Sequence, residues 1–498
     1  MHQGVCDGTC YHCKEIMGEA DYSLDLHSLT QRYKTGATTP EAAIAQVYER
    51  IERYADPAVW IYTAPLAETL ERAKILQDYD PYQLPLYGIP FAIKDYLDWA
   101  GVPTTAGCPA FAYTPERSAT VVERLCAAGA ILIGKTNMDQ FATGLVGTRT
   151  PYGVCRNPFD SRYIPGGSSS GSSVAVSAGL VSFALGTDTA GSGRVPAAFT
   201  NIIGLKPTRG FISTSGLVPA VRTLDCVSVF ALTCADAVKV LQVAGGYDAN
   251  DPFSRPPEAR RVLNIAGLRV GVPGDDDLNF FGNVNAQQRY REAIAHLQTL
   301  GCLIVPIDFK PFADTAQMLY GGPWVAERLA ALGDFLEQQP DAINPVVYEI
   351  ISSGKRYDAV SAYRALYRLA ELRKLAEVQW QAMDILAVPT TGTIYTVAEV
   401  EAAPIALNSN LGLYTNFVNL LDLCALSVPS GFQSNGLPTG LTLIAPAWHD
   451  SLICSVGAAF HTQLEVTLGA TGNSLTVSAP TAIPERSRHQ RCFGSPRS

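Results

Sequence analysis

Between Gly166 and Arg209 the chain reads GGSSSGSSVAVSAGLVSFALGTDTAGSGRVPAAFTNIIGLKPTR, with scarcely a large side chain in its first half. Glycine loses more freedom on folding than any other residue, so ordering such a stretch is unfavourable unless something must approach the backbone closely. The serines add local hydrogen bonds that compete with regular structure. A flexible linker would share the glycines and serines, but not the apolar run VAVSAGLVSFALG embedded in them. The stretch reads as the floor of a site in which a serine hydroxyl is the candidate nucleophile.

Three patterns could supply the chemistry. Gly129-Ala-Ile-Leu-Ile-Gly134-Lys135-Thr136 formally matches the phosphate-binding G-x-x-x-x-G-K-[ST]. That loop must follow a strand and open a helix, so that free N–H groups cradle phosphate. Here the residues between the glycines are themselves strand-like, and the match is rejected. Gly167-Ser-Ser169-Ser-Gly171 fits the G-x-S-x-G elbow, whose serine needs a histidine base. The chain holds seven histidines, and none lies between His27 and His296. His449 and His461 are the remaining candidates, with no acid loop beside either. The third reading starts from that lack of histidine: a lysine can deprotonate a serine if burial keeps it neutral. Lys94 ends the apolar run IPFAI, at the strand end where α/β folds place their sites. The alternative for Lys94 is a lysine reaching for solvent or paired with Asp95.

The elements that must position these residues alternate between helix and short buried strand. Thr39 and Pro40 have the N-cap and first-turn chemistry of a helix running to about residue 54. Helices are predicted at 24–33, 67–78, 121–128, 170–178, 286–300, 313–334 and 355–383. Strands are predicted at 88–93, 130–133, 181–185, 268–272, 302–307, 385–388 and 441–444. The pattern implies an α/β fold with a large mixed, mostly parallel sheet between helices in one domain. The segment 247–260 (YDANDPFSRPPEAR) is read as an excursion within that domain. The catalytic domain is expected to span residues 21–470. Residues 1–20, with Cys6, Cys10, Cys13 and His12, are expected to be loosely ordered rather than to bind metal, and 471–498 to be a disordered tail.

Composition narrows the partners. Of 498 residues, 47% are hydrophobic and 17% charged, which suits a large packed core. A net charge of −9 without a basic run argues against a nucleic-acid surface. No apolar run reaches the length of a membrane span, and the N-terminus lacks the pattern of a secretory signal, so a cytoplasmic protein is expected. Scattered cysteines such as Cys155, Cys226 and Cys424 read as small buried hydrophobes.

The motifs GGSSSGS and GTDTAGSGRVPAAF, with Lys94 upstream, resemble the amidase signature family over about residues 25–465. The resemblance implies a triad of Lys94, Ser168 preceded by a cis peptide, and nucleophilic Ser192. It also implies an oxyanion hole from the N–H groups of Thr189, Ala190, Gly191 and Ser192, and an amide hydrolase that uses no cofactor or metal. Arg194 is expected to pair with an acid such as Asp188 as part of the scaffold.

Within the family, TAGCPAFAYTP, KTNMDQFATGLVGTRTPYG and YGGPWVAERLAAL are similar to the allophanate-cleaving branch. Allophanate is a small planar anion whose carboxylate suits a fixed arginine fork. That likeness implies Tyr320, Arg328 and Gly144 as substrate-binding residues and a homodimer acting on a small molecule. Members of this branch often carry a further C-terminal domain, for which residues 471–498 are too short and hydrophilic.

Overall fold

Apolar runs too short for helices collect into a single sheet, and longer amphipathic segments cover it. The computed structural model describes residues 22–258, 264–464 and 466–475. Its strands are β1 (Trp60–Thr63), β2 (Pro90–Lys94), β3 (Ile131–Thr136), β4 (Phe183–Thr187), β5 (Ile203–Lys206) and β6 (Val227–Ala231). They continue with β7 (Arg269–Pro273), β8 (Leu303–Ile307), β9 (Ile385–Pro389), β10 (Leu423–Phe432) and β11 (Pro438–Pro446). All eleven join one sheet in the order β1-β3-β2-β4-β6-β5-β10-β11-β9-β7-β8.

The sheet is mixed, as expected, but not mostly parallel. Two parallel blocks, β3-β2-β4 and β9-β7-β8, flank an antiparallel centre. The strands predicted from sequence do not include β1, β5, β6 and β10, which all pair antiparallel with their neighbours. Their sequences hide them. β5 is only IGLK, β6 is interrupted by Ser228, and β10 carries Ser427, Pro429 and Gly431, which read as turn residues. Pro429 is accommodated beside a register shift in the β10–β11 ladder.

Both faces of the sheet are covered, so alternate residues of the inner strands enter different cores. In β9, Ile385 and Ala387 join the larger core, whereas Leu386 and Val388 join the second, built on Phe309, Phe312, Tyr414 and Phe417. Helix Pro40–Tyr54 begins as its sequence predicts: Thr39 Oγ1 accepts from Ala42 N at 3.2 Å and Pro40 occupies the first turn. The single helix expected over 313–334 is two, Lys310–Gly321 and Trp324–Gln338, broken at Gly322-Pro323. Within the described part of segment 247–260, residues 247–258, Asp248 and Asp251 accept hydrogen bonds from Ser213 and Thr214. At the tail, residues 471–475 are described and Thr467 bridges to Ser474. Residues 476–498 and the cysteine-bearing segment 1–20 lie outside the described residues.

Candidate active site

Two strand ends and the start of helix Ser170–Ser177 converge on one buried point. Lys94, the last residue of β2, is fully buried, and its Nζ donates to Ser168 Oγ at 2.7 Å and Thr187 Oγ1 at 2.8 Å. Burial is the dominant influence and lowers its pKa to about 7, although Asp139, Asp225 and Asp188 oppose that shift. Burial thus brings the neutral amine within reach near neutral pH. Asp95 is not its partner: the Asp95 carboxylate meets Lys135 Nζ at 2.7 Å, both side chains fully buried. This pair also accounts for the phosphate-loop mimic, because Gly134, Lys135 and Thr136 lie inside strand β3.

Ser168 follows a cis peptide from Gly167. The neighbouring Ser169, centre of the G-x-S-x-G match, is bonded to the backbone O and N of Thr187 at 3.3 Å each. His461 is buried in helix Asp450–Gln463, where burial pushes its pKa down to about 4. Among the described residues no histidine hydrogen-bonds to Ser169, so the elbow reading finds no base.

Ser192 sits on the turn between β4 and helix Val195–Phe199 and is 3% exposed; its Oγ donates to the Gly144 carbonyl at 3.5 Å. Asp188 shapes this turn. Its carboxylate accepts from Arg194 Nε at 2.8 Å, Arg194 Nη2 at 2.9 Å and Gly193 N at 3.1 Å, so the expected Asp188–Arg194 pair is present and bidentate. Burial works against the Asp188 charge, but Arg194 outweighs it and holds the pKa below the usual carboxylate range. Asn419 ties the carbonyls of Asp188 and Leu224 together, and Thr189 Oγ1 donates to Asp225 Oδ1 at 2.6 Å. Among the described residues, no protein acceptor meets the backbone N–H groups of Thr189, Ala190, Gly191 or Ser192. Buried N–H groups are nearly always paired, so four consecutive donors without a protein acceptor stand out beside the Ser192 hydroxyl. Breaking the buried pair by Arg194→Ala should lower unfolding stability by about 3–5 kcal/mol, since Asp188 is left charged and unpaired. Urea unfolding measures this, and a loss under about 1 kcal/mol would contradict the scaffold role.

A second buried cation bonds to the residues just before Gly144. Arg328, on helix Trp324–Gln338, is 2% exposed. Its Nη1 donates to Thr143 Oγ1 at 3.0 Å and to the Phe141 and Ala142 carbonyls at 3.3 and 3.4 Å; Nη2 reaches Tyr320 OH at 3.4 Å. Among the described residues no carboxylate lies within 4.0 Å of it. Tyr320, Arg328 and Gly144 are thus brought together in space. Sequence reasoning missed Thr187, the second acceptor of Lys94, and Asp139, Thr143 and Arg149, which shape the segment around Gly144. Asp139, Thr143 and Arg149 all lie in the motif KTNMDQFATGLVGTRTPYG, whose internal hydrogen bonds no spacing rule discloses.

The family model for amidases matches residues 42–454. The chain belongs to the amidase family. This amidase is 46% identical over 400 residues to a urea amidolyase of Lachancea kluyveri, and 44% identical over 400 residues to that of Saccharomyces cerevisiae. These matches span 79% and 78% of this chain but only 22% of each urea amidolyase, so the chain corresponds to about a fifth of their length. Among solved structures it resembles a variant of Kluyveromyces lactis allophanate hydrolase at 38% identity and a TM-score of 0.86, covering 94% of this chain and 78% of that one. The amidase is therefore a hydrolase of amide C–N bonds, with the single mixed sheet of that family.

Proposed function

We propose that this amidase is an allophanate hydrolase. The observation that carries the reading is Arg328: a buried guanidinium with no acidic partner among the described residues, bonded to Thr143, one residue from the carbonyl that faces Ser192. A buried cation is unfavourable unless an anion completes it, and a planar carboxylate suits its fork. Substrate would lie with its carboxylate at Arg328 and Tyr320, near Gly144, and its terminal amide carbonyl at Ser192. The likeness to urea amidolyase and allophanate hydrolase supports the same substrate.

In this reading Ser192 Oγ attacks the amide carbonyl, and its proton passes through Ser168 to neutral Lys94. The oxyanion is held by the N–H groups of residues 189–192, each such donor contributing about 3 kcal/mol in comparable sites. Collapse breaks the C–N bond, and the proton held by Lys94 returns through Ser168 to the departing ammonia. Water then hydrolyses the Ser192 ester, and the released N-carboxycarbamate takes up protons and loses two CO2, leaving the second ammonia. Lysine and serine supply every proton transfer, so the route uses no cofactor or metal.

Ammonia release from allophanate, malonamate and glutamine, measured side by side, tests the assignment. Preference for allophanate supports it. Turnover of another amide alone would keep the catalytic serine and discard the substrate.

We also propose that the enzyme is a cytoplasmic homodimer. Eight free thiols among the described residues fit a reducing compartment. On helix Ala359–Trp380, Val360, Tyr363, Leu366 and Tyr367 are each more than half exposed, an apolar patch of the kind a second copy covers. The double change Tyr363→Glu and Tyr367→Glu should convert a particle of twice the chain mass to one of single mass in light scattering. A wild-type monomer, or a variant that remains dimeric, would contradict this surface.

A further inference from the structure

Asp139 is fully buried just beyond β3, and it touches both halves of the catalytic floor. Its backbone N–H donates to the Ser168 carbonyl at 3.1 Å. Its carboxylate accepts from Gly147 N at 3.0 Å and Arg149 N at 2.9 Å, closing the segment 143–149 into a tight loop. That loop is fastened again where Gly167 N donates to the Leu145 carbonyl at 2.9 Å. Arg149 Nη1 donates to the Thr143 carbonyl at 2.9 Å from the same side. The fit leaves no spare room: a Cβ on Gly144 would stand 2.8 Å from Asp139 Oδ2, and Gly144 has φ +155°. Gly144 is the residue whose carbonyl receives the Ser192 hydroxyl.

We propose that Asp139 is a positioning residue for the hydrolysis, its carboxylate holding the 143–149 loop so that the Gly144 carbonyl faces Ser192 while its own peptide fixes Ser168. The inference rests on the assignment of Lys94, Ser168 and Ser192 made above.

The carboxylate has a second effect, through its charge. Among the described residues Asp139 meets no cation within 4.0 Å; backbone N–H groups stabilise it directly, and its field persists in the protein interior. The buried Arg149 guanidinium feels that field from farther away. The groups facing Lys94 are Asp139, Asp225 and Asp188, which favour the charged amine, and Arg328, which opposes it; the Tyr96 ring lies 5.5 Å from Nζ. Asp139 is the strongest of the acids, and the charge of Asp188 is shared with Arg194. Removing the Asp139 charge therefore favours neutral Lys94. The amine then stays neutral to lower pH.

The test compares Asp139→Asn with Gly144→Ala on whichever amide the wild-type enzyme hydrolyses. Asp139→Asn keeps the size but aims an NH2 at one of two N–H donors. Its kcat should fall about tenfold or more, with KM changed less than about threefold. At the same time the acid limb of its kcat/KM profile should move at least about half a pH unit lower. Gly144→Ala displaces the loop but retains the charge, so kcat should fall while the acid limb stays in place. Wild-type kcat in either variant, or an unmoved acid limb in Asp139→Asn, would overturn the proposal. Should Asp139→Asn not fold, Gly144→Ala with full kcat is still sufficient to overturn it. Lys94→Met separates the two levels: activity surviving that change sinks the triad itself, whereas an inactive Lys94→Met beside an unmoved limb sinks only the role of Asp139.

Discussion

Ser192→Ala and Lys94→Met are each expected to reduce ammonia release by about 10^3-fold or more, with the fold intact. The reasons differ. In the proposed mechanism no acyl-enzyme forms without the Ser192 hydroxyl, and only binding and the N–H groups of residues 189–192 would remain to assist water. In the proposed mechanism Lys94→Met leaves the nucleophile but removes the group that takes its proton. Methionine matches the length of lysine and has no charge to desolvate, so stability should hold or rise even as activity disappears. Thermal unfolding alongside the assay separates lost chemistry from lost fold. The wild-type profile carries the sign of the same group. Lys94 acts as a base only when neutral, so kcat/KM should rise with pH through the Lys94 pKa of about 7 and fall about tenfold per pH unit well below it. Undiminished activity in either variant, or a rate independent of pH between about 5 and 8, the range of ordinary histidine titration, would rule out this base.

Arg328→Met should raise KM for allophanate about 10^2-fold while leaving the small turnover of a neutral amide nearly unchanged. The binding of a buried, hydrogen-bonded charge pair is typically weakened by about 2–5 kcal/mol when one partner is removed, which brackets that factor. The discrimination follows from geometry: Tyr320 and Thr143 hold the guanidinium at its rim, and no protein carboxylate competes for it among the described residues. Arg328→Lys should rescue poorly, because a compact ammonium cannot present two parallel donors. Free enzyme should respond in the opposite direction. A buried guanidinium without an acid destabilises the empty protein, so Arg328→Met should raise Tm as it weakens binding. An equal loss on charged and neutral amides would mean that Arg328 supports the fold rather than the substrate.

Much of this molecule is legible before any coordinates. The local chemistry of Thr39 and Pro40 sets a helix start, and the apolar run ahead of Lys94 sets a buried strand, because capping and burial act within a few residues. The shortage of histidine around the serine-rich floor directs attention to lysine, and the serine- and glycine-rich motifs carry the family and the residues of the proposed triad. Arg194 is also matched to its acid, Asp188, within the same short motif.

What the chain order does not disclose is pairing over long separations. Strands β5, β6 and β10 form the antiparallel centre of the sheet, yet each is short or interrupted by Ser, Pro or Gly. They are stabilised by neighbours distant in the chain, as where Ala425 of β10 faces Lys206 of β5. Burial of Lys94 to a pKa near 7 likewise depends on what surrounds it in space, as does the choice of Lys135, not Lys94, as partner for Asp95. The same holds for Asp139, which sequence places merely in a motif and tertiary structure places against both Ser168 and Gly144. Residue types and spacing determined which reactions were available to this protein. Desolvation and long-range hydrogen bonds, which exist only once the chain has closed on itself, decided which groups are charged, which are paired and which are left free to act.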